Sequence, residues 1–162
     1  MKIGVADLHK LVGKEISKIC PHKYVGKNNC AHFVGHALGL QIGILCNLVP
    51  KRNNKEDEGR ASIRVNDIYN DLDDTGLWAS RPKPVGNQNL LIFVTSAKNL
   101  NSDEDVMNDN PFKHIGIFVE DKVYNYSNEH KRVVADTVDE FFTKCDNVYP
   151  QNDVTLYYGI SE

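Results

Sequence analysis

His114-Ile115-Gly116-Ile117-Phe118-Val119-Glu120-Asp121-Lys122-Val123-Tyr124-Asn125-Tyr126 decides the fold class. Two short apolar runs flank a charged pair, and Asp121-Lys122 reads as the turn of a β-hairpin. Upstream, Leu90-Leu91-Ile92-Phe93-Val94 is a continuous apolar run of the length expected for a buried strand. Downstream, residues 131–135 and 154–158 read as two more strands. A brief helix over 138–144 separates them, capped by Asp136 or Thr137.

The N-terminal half has a different period. Val5, Leu8, Leu11, Val12, Ile16 and Ile19 form one helical stripe, closed by Pro21. A second helix follows Asn28-Asn29, with Phe33, Val34, Ala37 and Leu38 on its apolar face and Gly39 as its stop. A third begins near Asn66, with Val65, Ile68, Tyr69 and Leu72 along one side and Gly76 beyond its end. Residues 50–62 read as a solvated loop and 97–112 as a long Asn- and Asp-rich one, with Ser102-Asp103-Glu104-Asp105 as a solvated flap. Helices first and an antiparallel meander after them predict an α+β domain.

At 162 residues, 41% hydrophobic and 25% charged, the chain predicts one domain over 1–162 with its own core. A net charge of -3 excludes nucleic-acid binding by bulk electrostatics. No run approaches the roughly 20 apolar residues of a membrane span. Residues 1–7 lack the apolar core of a secretory signal, so the chain is expected to be cytoplasmic as synthesised.

None of Cys20, Cys30, Cys46 and Cys145 forms a CxxC pair, and a chain this long needs no disulfide framework. Cys30 alone departs from the reading of a small buried hydrophobe. It opens the second helix, where partial positive charge and free N–H groups favour a thiolate. Such a nucleophile needs a base, and the base an orienter. His114 opens one strand and Asn125 lies on its hairpin neighbour, about 5 Å away. Asn125 can therefore bond one imidazole nitrogen while the other faces Cys30. Asn128 and Asp121 are alternative orienters.

These segments also resemble a known family. Tyr24-Val25-Gly26-Lys27-Asn28-Asn29-Cys30-Ala31-His32-Phe33-Val34 is similar to the nucleophile region of NlpC-type cell-wall peptidases. Gly86-Asn87-Gln88-Asn89-Leu90-Leu91-Ile92-Phe93 resembles that family's Gly-Asp-Leu-Val-Phe-Phe strand. His114-Ile115-Gly116-Ile117-Phe118 resembles its His-Val-Gly-Ile-Tyr strand, and Val123-Tyr124-Asn125-Tyr126-Ser127 takes the place of the strand with the third polar residue. Asn29 replaces the usual Asp before the cysteine, and Ala31-His32 the usual Ser-Gly after it. Cysteine- and histidine-dependent amidases and type VI secretion amidase effectors are related.

The resemblance implies a papain-like fold and a cysteine peptidase or amidase acting on peptidoglycan stem peptides. Cys30 would be the nucleophile, His114 the base and later acid, and Asn125 the orienter. Tyr24 would line the cleft and, with the Cys30 N–H, hold the oxyanion. Trp78 is either a substrate-groove aromatic or a buried anchor. No cofactor is implied. A cell-wall substrate would require a non-Sec export route, as for an antibacterial effector with a cognate immunity protein, or release by lysis. A cytoplasmic amide or ester substrate and a catalytically silent binding module are the alternatives. His32 and His36 have the spacing of a metal-binding helix face, but the glutamate of HExxH is missing. No metal is expected, and both histidines are read as solvent-facing or at the cleft rim.

Overall fold

Val119 and Lys122 close the hairpin across Glu120 and Asp121, whose φ angles of 48° and 64° place both in the left-handed region. Such a pair matches the twist of the flanking strands. The turn is therefore one residue earlier than Asp121-Lys122, and Lys122 is the first rung of the returning strand. These are strands β5 (Lys113–Val119) and β6 (Lys122–Ser127) of a computed structural model that describes residues 2–20, 29–40, 42 and 63–162.

Chain order supplies the remaining elements. Helices α1 (Val5–Leu11), α2 (Cys30–Leu38) and α3 (Val65–Asp71) come first, then strands β1 (Asp74–Leu77) and β2 (Asn89–Ser96). The short strands β3 (Leu100–Asn101) and β4 (Val106–Met107) precede the hairpin, and β7 (Arg132–Asp136), α4 (Val138–Val148) and β8 (Val154–Ser161) follow it. The main sheet is antiparallel throughout, with order β1-β8-β2-β5-β6-β7. The architecture is thus α+β.

The meander covers only β2-β5-β6-β7. The last strand enters between β1 and β2, pairing from Asn89↔Ser161 to Ser96↔Val154. That ladder satisfies backbone groups that would otherwise leave β2 as a long apolar edge. Gly76 stands in β1 opposite Tyr158, and a Cβ there would lie 2.9 Å from the tyrosine ring. It ends no helix; it admits the ring.

Both faces of the sheet are covered, which explains the unbroken apolar run of β2, buried along its whole length. On one face, Leu91, Phe93, Ile115, Ile117 and Tyr124 pack with Leu8, Phe33, Val34, Ile68 and Tyr69 from α1, α2 and α3. On the other, Leu90, Ile92, Val94, Val123 and Ile160 pack with Trp78 and with Phe141 and Cys145 of α4.

The single helix expected over residues 5–19 is divided. α1 ends at Leu11, Gly13 takes φ 84°, and a 3-10 turn spans Ile16–Lys18. The Gly13 N–H donates to the Val133 carbonyl at 2.8 Å, and the Val133 N–H to Lys14 O at 3.0 Å. Pairing with β7 outcompetes two further turns of a marginal helix. Gly39 caps α2 at φ 63°, with the Leu40 N–H bonded to Gly35 O at 3.0 Å. α4 starts with a reciprocal capping box between Thr137 and Glu140.

The segment 97–112 is built rather than loose. β3 and β4 pair within it, and the Asn70 side chain bonds both the N–H and the carbonyl of Met107. Asp105 accepts from the Tyr69 hydroxyl at 2.9 Å, so the acidic stretch is pinned to α3. The loop over 50–62 lies outside the described residues. No helix among the described residues is long and apolar enough to cross a membrane.

Candidate active site

Register places the histidine and its orienter. His114 pairs with Val94, Gly116 with Ile92, and Asn125 with Gly116, so His114 and Asn125 share the sheet face that α4 covers. His114 Nε2 lies 3.0 Å from Asn125 Oδ1. Its ring stacks on Phe141 of α4, with centroids 5.3 Å apart and planes at 24°. Asn128 and Asp121, the alternative orienters, are used otherwise: Asn128 accepts from the Asn29 N–H, and Asp121 forms the hairpin turn at the far end.

Asn125 is itself oriented. Its amide nitrogen donates to Asp136 Oδ2 at 2.9 Å and to the Val123 carbonyl at 3.2 Å. Both contacts demand a donor, so Oδ1 must face the histidine. Oδ1 only accepts, so His114 carries its proton on Nε2 and keeps the Nδ1 lone pair. Asp136 is buried and also accepts from Lys144 Nζ at 2.7 and 2.9 Å. The sequence order predicts no more for Asp136 than a place at the helix cap. Its one sequence signal is an acidic residue ending an apolar strand just before a Thr cap, which cannot reveal a link to Asn125 eleven residues away.

Burial pushes the His114 imidazole below its ordinary pKa, against opposing pulls from the Asn125 hydrogen bond and the Asp136 charge; Lys144 adds a further downward push. The ring is therefore neutral at physiological pH, the state a general base requires.

Cys30 occupies the first position of α2, after Asn29. It belongs to the apolar layer of α1, α2 and α3, and α2 crosses β5 and β6. The Asn29 N–H donates to Asn128 Oδ1 at 3.1 Å, tying the start of α2 to the turn after β6. Among the described residues, Lys113, which precedes His114, and Cys145 and Tyr149 at the end of α4 are electrostatic neighbours of the thiol. Cysteine and histidine thus lie at the same end of the sheet.

The expectation of a resting thiolate is corrected. Burial pushes the Cys30 thiol up to about 11, overriding the N–H groups of Cys30 and Ala31 and the Lys113 ammonium, which act in the opposite direction. Desolvation of the charged form exceeds what the helix end supplies. Any nucleophilic role therefore requires proton removal by a base.

A cleft of about 470 Å³ opens at this end of the sheet, lined by His114, Asn125, Asn128, Lys144, Cys145 and Tyr149 among others. Lys113 is also at its wall, held by Asp109 at 2.8 Å and by the Asn110 carbonyl. Tyr24 lies outside the described residues, as does Cys46. Trp78 stacks edge-on against Phe118 at 5.1 Å under the Arg81 guanidinium, 4.2 Å above its ring. Phe118 is four residues along β5 from His114, so Trp78 is a core anchor roughly 13 Å of strand from the imidazole.

His32 corrects the expectation of a solvent-facing or rim histidine. It is 1% exposed, with Nδ1 3.2 Å from Asn29 Oδ1 and Nε2 3.0 Å from His36 Nε2. With Cys20 these histidines form the one group among the described residues whose donor set suits a metal.

No protein-family model, curated protein or solved structure matches the chain.

Proposed function

We propose that the chain is a papain-like cysteine hydrolase that cleaves amide bonds, with peptidoglycan stem peptides as the substrate class. The observation that carries this reading is the oriented His114–Asn125–Asp136 series beside a cleft, at the sheet end where α2 begins with Cys30. The substrate class comes from the resemblance of residues 24–34, 86–93, 114–118 and 123–127 to the NlpC-type peptidases.

In this mechanism His114 Nδ1 takes the proton of the Cys30 thiol as sulfur attacks the carbonyl carbon. The Cys30 N–H stabilises the oxyanion, and Tyr24 is its partner donor. Collapse breaks the C–N bond, and the imidazolium returns its proton to the leaving amine. Water then adds to the thioester with His114 again as base, releasing the acid and restoring the thiol. Action on the cell wall places the chain outside the cytoplasm, as an exported effector whose immunity protein plugs the cleft or as a lysis enzyme.

The test is muropeptide mass spectrometry after incubation of purified sacculi with wild type, Cys30→Ala and His114→Ala. New peptide ends are expected with wild type alone. Equal digestion by Cys30→Ala removes the proposal.

A second reading is favoured by one observation: Cys30 is only 2% exposed. A catalytically silent module of the same fold would bind its ligand in the cleft with no role for the sulfur. Substrate-dependent trapping of Cys30 by an electrophilic peptide separates the two, since a silent module gives no adduct.

A further inference from the structure

Cys20, His32 and His36 lie outside the proposed hydrolase chemistry, yet their donor atoms fall within 4.8 Å of one another. Two independently anchored elements present them. The Cys20 N–H bonds to Ile16 O at 2.8 Å, and the Ile16 N–H is held by the Tyr126 hydroxyl at 3.2 Å. The histidines stand one helical turn apart on α2, a spacing that aims both rings to one side.

The chemistry of the donors is selective. Asn29 Oδ1 can only accept, so His32 carries its proton on Nδ1 and turns the Nε2 lone pair toward His36. A carbonyl behind a ring nitrogen is the arrangement that fixes and strengthens metal-bound histidines. His32 and Cys20 are both buried, whereas His36 is half-buried.

We propose that Cys20, His32 and His36 form a site for one zinc-class divalent cation, with water as the fourth ligand. Thiolate and imidazole donors select zinc over calcium or magnesium, which take oxygen. Zn–N bonds of about 2.0–2.1 Å and Zn–S bonds of about 2.3 Å put tetrahedral donors roughly 3.3–3.7 Å apart. The observed 3.0 Å between the two Nε2 atoms and the 4.8 Å limit bracket those separations, so small rotamer shifts complete the site. On binding, the Cys20 thiol releases its proton to solvent and His36 moves its proton to Nδ1, so one proton leaves per ion. The ion joins the chain before residue 21 to the first turns of α2 and braces the helix start that carries Asn29 and Cys30.

The full chain is stripped with a chelator, dialysed and titrated with Zn²⁺, and binding is read by metal analysis and thermal unfolding. One equivalent is expected, with Tm rising roughly 5–10 °C at a hundredfold excess over the dissociation constant. With Co²⁺ as probe, a thiolate-to-metal charge-transfer band is expected in wild type and Cys30→Ala and absent in Cys20→Ser. His36→Gln changes a half-buried residue and is expected to fold; it should weaken binding more than the roughly 10–100-fold that loss of an outer partner costs. Absence of stoichiometric uptake overturns the proposal, as does unchanged binding in both Cys20→Ser and His36→Gln. No readout uses hydrolysis, so failure here leaves the proposed function standing.

Discussion

Asn125 donates its amide nitrogen to Asp136 at 2.9 Å, and that bond decides which nitrogen of His114 is basic. Together with the Val123 carbonyl, which accepts from the same nitrogen, it keeps the amide from turning over and offering N–H to the imidazole. The carboxylate therefore acts on the histidine twice, by orienting the amide and by its charge.

Asp136→Asn removes the charge and leaves an amide oxygen that can still accept from Asn125. The His114 pKa should fall further below 6.5, and Lys144→Met should move it upward, because the Lys144 ammonium disfavours the imidazolium. The remaining groups around the ring, Lys113 and Cys145 at the cleft and Phe141 beneath it, are unchanged. NMR titration of His114 in a Cys30→Ala background reads both shifts. Movement of the two variants in the same direction would contradict the assignment.

His114 also links stability to pH. Its folded pKa is lowered from 6.5, so below that value the unfolded chain binds more protons. Its contribution is complete above pH 6.5 and is lost as pH falls through the lowered folded value. Urea midpoints between about pH 7.5 and 5 should therefore decline less steeply in His114→Gln than in wild type. Equal slopes would show that His114 titrates alike in both states.

Gly116 sets the approach of β6. A Cβ there would stand 2.5 Å from Val123 Cγ1, 3.1 Å from the Tyr124 carbonyl and 3.2 Å from Asn125 Cβ. Gly116→Ala should destabilise by about 1–3 kcal/mol through overpacking. It should also shift the His114 ring resonances, since the push falls on the residue that holds the ring. A fully stable variant with unmoved resonances would refute this.

Thr137→Ala breaks the box that starts α4, where the Glu140 N–H bonds Thr137 Oγ1 at 3.1 Å. The expected loss is about 1 kcal/mol. Native-state hydrogen exchange should report it chiefly in α4, the element that carries Phe141 and Lys144 to His114. A uniform loss across the sheet would mean that α4 does not open separately.

Much of the local structure is legible in side-chain order. The runs at 90–94 and 114–126 specify strands because an apolar pleat needs cover, and Thr137 with Glu140 marks a helix start because its N–H groups need acceptors. His114 and Asn125 could be paired from the sequence because a hairpin brings them together by local geometry alone. The break at Gly13 was not legible, since it depends on Val133, far along the chain. The same holds for the buried Cys30 thiol, whose helix-end position is local but whose desolvation comes from tertiary packing.

By itself, the sequence determined the strands around 90–94 and 114–126, the starts of α2 and α4, the α+β class and the Cys30, His114 and Asn125 candidates, because these follow from periodicity and local side-chain order. Only the tertiary structure decided that β8 enters between β1 and β2, that Asp136 orients Asn125, and that Cys20 meets His32 and His36. Those relations join residues through packing, where the positions of whole elements, rather than the order of neighbouring side chains, set which polar groups share a space.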